Sequence, residues 1–247
     1  MKISIVTVSY NAAATIADTI ASVQAQDHLD IEHIIVDGAS SDGTAEVVAR
    51  MADARTRWIS EPDRGLYDAM NKGIALATGD VIGILNADDY FANTRSVSAI
   101  VDGFANNPDR DAILGDIAFV DEHQRITRHY RSSRFRPALT RWGWMPAHPG
   151  MYLTREAYDR VGSYRTDLKI AADFDFVVRA FNVIGLRYDY LPRVLVHMRL
   201  GGASTDGWRA KLTINREVVR ACRENGIYTN LAMIMSKYPL KVLEFLQ

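Results

Sequence analysis

The stretch Ile82-Gly83-Ile84-Leu85-Asn86-Ala87-Asp88-Asp89 decides how the rest of the chain is read. Val81, Ile82, Ile84 and Leu85 form a short apolar run, the pattern of a strand covered on both faces. The run ends abruptly in Asn86, Asp88 and Asp89. In open α/β sheets the carboxyl ends of the strands are where ligands sit. Two adjacent carboxylates beside an amide suit a hard divalent cation, Mg²⁺ or Mn²⁺, of the kind held by one or two carboxylates plus substrate phosphate oxygens. Asn-Ala-Asp-Asp is also good turn chemistry, so the stretch alone leaves a metal edge and a polar turn both open.

The flanking sequence places this strand in a series. Ile3 to Tyr10 reads as a first strand, ended by Asn11. Ile16, Ile20 and Val23 mark a helix, and Ile31 to Val36 a second buried strand closed by Asp37-Gly38. Ser40 to Thr44 is a polar turn and helix cap, followed by a helix carrying Val47, Val48 and Met51. Trp58-Ile59-Ser60 is a third strand, and Arg64 to Ala77 a third helix broken by Gly79-Asp80. This alternation argues an α/β fold, with a mostly parallel sheet between helices.

Beyond Asp89 the pattern changes. Val97, Ile100, Val101 and Phe104 mark a helix, and Ala112–Val120 with Ile126–Tyr130 a hairpin. Arg131 to Pro149 is irregular, aromatic and basic. Thr154–Val161 and Asp173–Ile184 read as helices, each stopped by a glycine, and Leu186–Leu191 as a late strand. A helix over Trp208–Glu224 and an apolar tail close the chain.

At 247 residues this is one large domain or a domain with an appendage. Net charge is −1, so no overall basic field attracts nucleic acid. The one cysteine, Cys222, excludes an internal disulfide and a Cys-based zinc site. No signal-peptide pattern and no membrane-length apolar run is present, which gives the cytoplasm as the expected compartment. There is no Gly-x-Gly-x-x-Gly after the first strand and no P-loop, so any bound phosphate needs a metal to neutralise it.

Several side chains have both a functional and an ordinary reading. Asp37, at the carboxyl edge, suits a ribose hydroxyl or a base, or simply a turn before Gly38. Arg64, Asp68 and Asn71 share a helical face, as ligand contacts or as a solvated face with an ion pair. Asp173 and Asp175 open a helix, as caps or as a general base. A helix N-terminus lowers a carboxylate pKa while burial against Phe174 and Phe176 raises it. His197 suits a metal or phosphate contact, or packing. His148, Trp142 and Trp144 suit an acceptor site, or the core.

In combination these pieces resemble glycosyltransferase family 2 enzymes with the GT-A fold, most closely their bacterial surface-polysaccharide branch. The resemblance spans roughly residues 2 to 205. It rests on Val6-Thr7-Val8-Ser9-Tyr10-Asn11, Val36-Asp37-Gly38-Ala39-Ser40-Ser41-Asp42-Gly43-Thr44, Glu61-Pro62-Asp63-Arg64-Gly65, Asn71-Lys72-Gly73, Leu85-Asn86-Ala87-Asp88-Asp89 and Ala171-Ala172-Asp173-Phe174-Asp175. It implies a GT-A domain over 1–205 (nucleotide-binding half 1–90, acceptor half 91–205) and a helical extension over 206–247. It also implies an inverting transfer of a sugar from a nucleotide-sugar donor, UDP-linked in preference to GDP-linked, to an acceptor hydroxyl. Tyr10, Asn11 and Asp37 would line the nucleotide pocket, with Arg64 and Asp68 near the base, ribose or diphosphate. Asn86-Ala87-Asp88 stands where the family has Asp-x-Asp, which makes Asp88 the metal ligand. Asp173 matches the catalytic base, and His197 lies near a further metal or phosphate contact.

Two departures stand out. Asn86 replaces the first Asp of the triplet, and Ala172 stands where many members have Glu, which brings Asp175 into contention as base. Two other functions compete: an inactive nucleotide-sugar-binding relative, suggested by Asn86, and a sugar-1-phosphate nucleotidyltransferase, disfavoured by Ser9-Tyr10-Asn11-Ala12 in place of a glycine-rich loop. The tail, with Leu231, Met233, Ile234, Met235, Leu240, Val242, Leu243, Phe245 and Leu246 around Lys237 and Lys241, suits a peripheral membrane contact, for a lipid-linked acceptor, or docking on the domain or a second subunit.

Overall fold

The computed structural model describes residues 1–199 and 207–236. Residues 200–206 and the tail from Lys237 onward, with Leu240, Val242, Leu243, Phe245 and Leu246, lie outside the described residues. The amino-terminal half alternates as its sequence implies: β1 (Ile3–Ser9), α1 (Ile16–Gln24), β2 (Ile31–Asp37), α2 (Thr44–Met51), β3 (Thr56–Ser60), α3 (Leu66–Leu76) and β4 (Val81–Ile84). These strands pair in parallel in the order β3-β2-β1-β4, with Ile3 opposite Ile31 and Ser9 opposite Asp37. Every residue of β1 and β4 is buried. Successive side chains point to opposite faces. Val6, Val36, Ile84 and Met70 accordingly pack in one core, and Ile3, Ile5, Val81 and Leu85 in another with Val97, Ile100 and Phe104.

The second half continues with β5 (Tyr90–Phe91), α4 (Ser96–Asn106), β6 (Ala112–Val120), β7 (Ile126–Tyr130), β8 (Met151–Thr154), α5 (Arg155–Val161), α6 (Ala172–Val178), β9 (Tyr188–Arg199), α7 (Gly207–Glu224) and α8 (Leu231–Met235). The sheet extends as β4-β8-β6-β9-β5, with β7 paired to β6 as the expected hairpin. β8 and β5 run antiparallel to their neighbours, so the sheet is mixed on this side.

Three expectations shift. β8 was not anticipated; its four residues follow a segment that forms short 3₁₀ turns at Ser132–Arg134, Pro137–Trp142 and His148–Gly150. The third helix starts at Leu66, not Arg64, because Gly65 sits at φ +110°. The late strand is twelve residues long and passes through Pro192, where a shift in its register with β6 at Gly115 and Asp116 accommodates the missing donor.

The helical extension is docked. Val218, Ala221, Cys222 and Ile234 are buried against Ala171, Phe174 and Val178. Cys222 is thus a packed thiol. No helix among the described residues is long and apolar enough to cross a membrane.

Candidate active site

Parallel pairing of β1, β2 and β4 brings their carboxyl ends together, and with them the loops that carry Tyr10, Asn11, Asp37, Asn86 and Asp88. The backbone N–H of Leu85 donates to Val6 and that of Ala87 to Val8, which seats the Asn86–Asp89 turn beside the end of β1. Asn11, at φ +49°, ties this edge to the next loop: its N–H donates to Ser40 Oγ (2.8 Å), and its Oδ1 accepts from the Ser41 N–H (3.0 Å). Tyr10 is 69% exposed. Its ring and the Asp63 carboxylate flank Gly38, where a Cβ would stand 2.5 Å from Asp63 Oδ2. A side chain there would push the Asp63 carboxylate aside.

Asp37 is wholly buried. Its carboxylate accepts from Ser9 Oγ (3.0 Å), Ser40 Oγ (2.5 Å), Ser40 N–H (3.0 Å) and Ser60 Oγ (2.7 Å). Burial pushes its pKa up, but these bonds from Ser40, Ser60 and Ser9 outweigh burial and hold it below the ordinary value. Arg64 and Asp68 pair at 2.9 Å, with Arg64 largely exposed. Asn71 leaves that face: its Nδ2 donates to Tyr164 O and its Oδ1 accepts from Tyr164 N–H, both at 2.8 Å.

At the Asn86–Asp89 turn, Asn86 Oδ1 and Asp89 Oδ1 are buried without a hydrogen-bond partner. Asp88 is half-buried, and burial raises its pKa despite the Arg199 charge nearby. Asp89 is raised well above the ordinary value, by burial first and by Asp88 second. Two crowded carboxylates and unpartnered oxygens form a hard-oxygen donor set that a divalent cation would relieve, so these residues fit such an ion. No three His, Cys, Asp or Glu side chains among the described residues group closely enough to bind a metal unaided. His197 lies in β9 opposite Tyr90, ring edge to ring at 5.3 Å. Burial and the neighbouring His129 lower its pKa.

A cleft of about 310 Å³ opens between β6, β7, β9, the 3₁₀ segment and α7. Its walls include Ile117, Met145, Ile214 and Val218, with Asp173, His148, Arg128 and Tyr130 among the polar groups. Asp173 heads α6, its Oδ1 accepting from the Phe174 N–H (2.7 Å). Burial pushes its pKa up to about 6, against the pull of the Phe174 N–H and Tyr67 bonds. Burial thus prevails over the helix N-terminus. Asp175 turns away: it is wholly buried, with Oδ2 on Arg179 Nε (2.8 Å) and Oδ1 on Asn225 Nδ2 (3.1 Å). His148 is pushed down to about 4 by burial and contacts the Tyr164 hydroxyl (2.9 Å). Trp142 is 39% exposed.

Three neighbours of these groups carried no sequence signal. Arg199 donates to the Asp88 carbonyl (3.1 Å) and pairs with Asp18. Tyr67 donates to the Ile170 carbonyl and sits 3.4 Å from Asp173 Oδ1. Glu217 reaches the turn before α6. Each contact joins residues more than 45 positions apart, beyond the reach of any local pattern.

A parallel half joined to a mixed second half through one curled sheet is the GT-A architecture. Among solved structures it matches residues 1–349 of S. aureus TarS in complex with UDP-GlcNAc, with TM-score 0.72 at 17% identity over 95% of this chain and 70% of that one. It also matches mannosyltransferase PcManGT from Pyrobaculum calidifontis in complex with GDP-Man and Mn²⁺, with TM-score 0.67 at 21% identity over 90% of this chain and 63% of that one. In sequence the chain is 33% identical over 228 residues to the succinoglycan biosynthesis protein ExoU of Rhizobium meliloti, covering 83% of this chain and 64% of that protein. Residues 4–162 match the glycosyl transferase family 2 profile, and the chain belongs to that family. It is a glycosyltransferase by family, with the GT-A fold. The matched segment ends before Asp173.

Proposed function

We propose that the protein is a metal-dependent, inverting glycosyltransferase that moves a sugar from a nucleotide-sugar donor to an acceptor hydroxyl during assembly of a bacterial polysaccharide. A UDP-sugar is the favoured donor and a GDP-sugar the alternative. The observation that carries the reading is Asp173, a carboxylate set in an apolar cleft and held near neutral pKa. A base working near pH 7 benefits from such a value. The acceptor O–H proton passes to the Asp173 carboxylate as the oxygen bonds to the anomeric carbon. The bond from that carbon to the diphosphate breaks on the opposite side, which inverts the configuration. No covalent intermediate is needed, so one carboxylate suffices. Asp175 has its oxygens taken by Arg179 and Asn225, which supports Asp173 as the base.

Tyr10, Asn11 and Asp37 form the nucleotide wall, with Arg64 and Asp68 at its rim. Asp88, with Asn86 and Asp89, would hold Mn²⁺ or Mg²⁺, and His197 adds a contact nearby. Bound there, the cation supplies Lewis-acid stabilisation of the leaving diphosphate. The UDP-GlcNAc complex of TarS and the GDP-Man and Mn²⁺ complex of PcManGT support the nucleotide and metal assignments, and the ExoU relative supports the polysaccharide context. Residues 1–90 serve the donor and 91–205 the acceptor, with 206–247 appended. We place the enzyme in the cytoplasm, where nucleotide sugars are made, with any membrane contact peripheral. Asp173→Asn is expected to abolish transfer while nucleotide affinity stays near wild type; a fully active variant would remove Asp173 from the base role.

A further inference from the structure

The turn before α6 is held from outside. Ala171, the residue preceding α6, has no side-chain cap of its own. Instead Glu217 of α7 accepts three consecutive backbone N–H groups: Lys169 on Oε1 (2.9 Å), then Ile170 (2.9 Å) and Ala171 (3.0 Å) on Oε2. The carbonyl of Ile170 is held from the other side by the Tyr67 hydroxyl. Ile170 and Ala171 line the cleft beside Asp173, and so do Ile214 and Val218, on either side of Glu217 in α7. The same helix is fastened to the preceding segment. Arg220 binds Asp167 (2.6 Å), Arg165 pairs with Glu224, and Asn225, just past the helix, donates to Asp175 (3.1 Å).

Carboxylate–amide bonds are stronger than neutral ones, and three on one turn fix its backbone. A base must be held to within a fraction of an ångström of its reacting geometry. We propose that Glu217 is a positioning residue for Asp173: its carboxylate clamps the 169–171 turn so that the base faces the acceptor. The inference rests on the reading of Asp173 as base. It gives the carboxy-terminal extension a part in the chemistry, from a helix outside the segment that matches the family.

The groups around Asp173 are Tyr67 from α3, the buried Tyr164, His148 and Arg128 of the cleft wall, and Glu217 from α7. His148 is neutral near pH 7 and the tyrosines stay protonated, which leaves Glu217 as the anionic neighbour. Glu217 adds to the rise of the Asp173 pKa, a smaller cause than burial.

The test uses full-length Glu217→Gln, Glu217→Asp and Asp173→Asn proteins of confirmed fold, assayed for transfer across pH and for UDP and GDP binding with Mn²⁺. In Glu217→Gln one acceptor oxygen and the charge are lost. Its kcat is expected to fall roughly 10–100-fold. The acid limb of its pH profile should move to lower pH, and nucleotide affinity should not change. Glu217→Asp keeps the charge with a shorter reach, so its limb should stay at the wild-type pH while kcat falls. If kcat and the acid limb of Glu217→Gln both match wild type while Asp173→Asn is dead, Glu217 has no positioning role. If Asp173→Asn itself transfers normally, the base reading fails and this inference fails with it.

Discussion

Replacing Asp173 by Asn should stabilise the fold while it destroys transfer. The Asp173 carboxyl is raised from an ordinary 3.8 to about 6 because folding buries it. The fold therefore favours the protonated form. Below the unfolded-state value the group costs nothing, and the cost grows as pH rises through the folded-state value. A rise of about two units corresponds to about 3 kcal/mol at neutral pH. Part of the side chain reaches the open cleft, so solvent screening brings this to roughly 1–3 kcal/mol. Asn removes the charge and retains an oxygen for the Phe174 N–H. For a chain of this size the expected rise in Tm is roughly 3–10 °C near pH 8. The gap should close between about pH 6 and pH 4, where the wild-type group is itself neutral. Thermal melts of both proteins across that range, followed by far-UV circular dichroism, provide the assay. A variant that melts at or below the wild-type temperature near pH 8, or a gap that does not change with pH, would refute the burial argument.

Gly83→Ala should cost about 1–3 kcal/mol in urea denaturation, since overpacking forces a core apart. Its Cβ would lie 2.1 Å from Cε1 of the wholly buried Tyr152 across the β4–β8 pair; a neutral result would mean that these strands are not in this register. Asn71→Ala should cost about 2 kcal/mol by stripping both main-chain bonds from Tyr164, with nucleotide affinity unchanged. Loss of affinity without loss of stability would return Asn71 to the ligand site. Wild-type kcat/KM should fall about tenfold per pH unit below about 6 as Asp173 takes up its proton. A profile flat down to about pH 4.5 would mean that another group is the base.

The amino-terminal half was legible because its strands are continuous apolar runs ended by polar turns, a pattern local in sequence. Val81 to Leu85 announced both a buried strand and the edge at Asn86. The second half was less legible for physical reasons. Met151–Thr154 is too short to show a period, and Pro192 reads as a break although a register shift absorbs it. In the site, Asp37, Asn86 and Asp88 were marked by their place after strands. The contrast between Asp173 and Asp175 needed three dimensions, because two carboxylates two residues apart on one helix meet different surroundings: the cleft for one, Arg179 and Asn225 for the other. Arg64, Asp68 and Asn71 share a helical period, yet Gly65 puts Arg64 outside the helix and Asn71 turns to the backbone of Tyr164.

The most direct test of the account is calorimetric titration of wild-type and Asp88→Asn protein with UDP and with GDP, each with and without Mn²⁺. The account predicts that one nucleotide binds wild type, that Mn²⁺ tightens the binding, and that Asp88→Asn loses the Mn²⁺-dependent part. Absence of binding by either nucleotide in folded wild-type protein, or binding indifferent to both Mn²⁺ and Asp88, would contradict it.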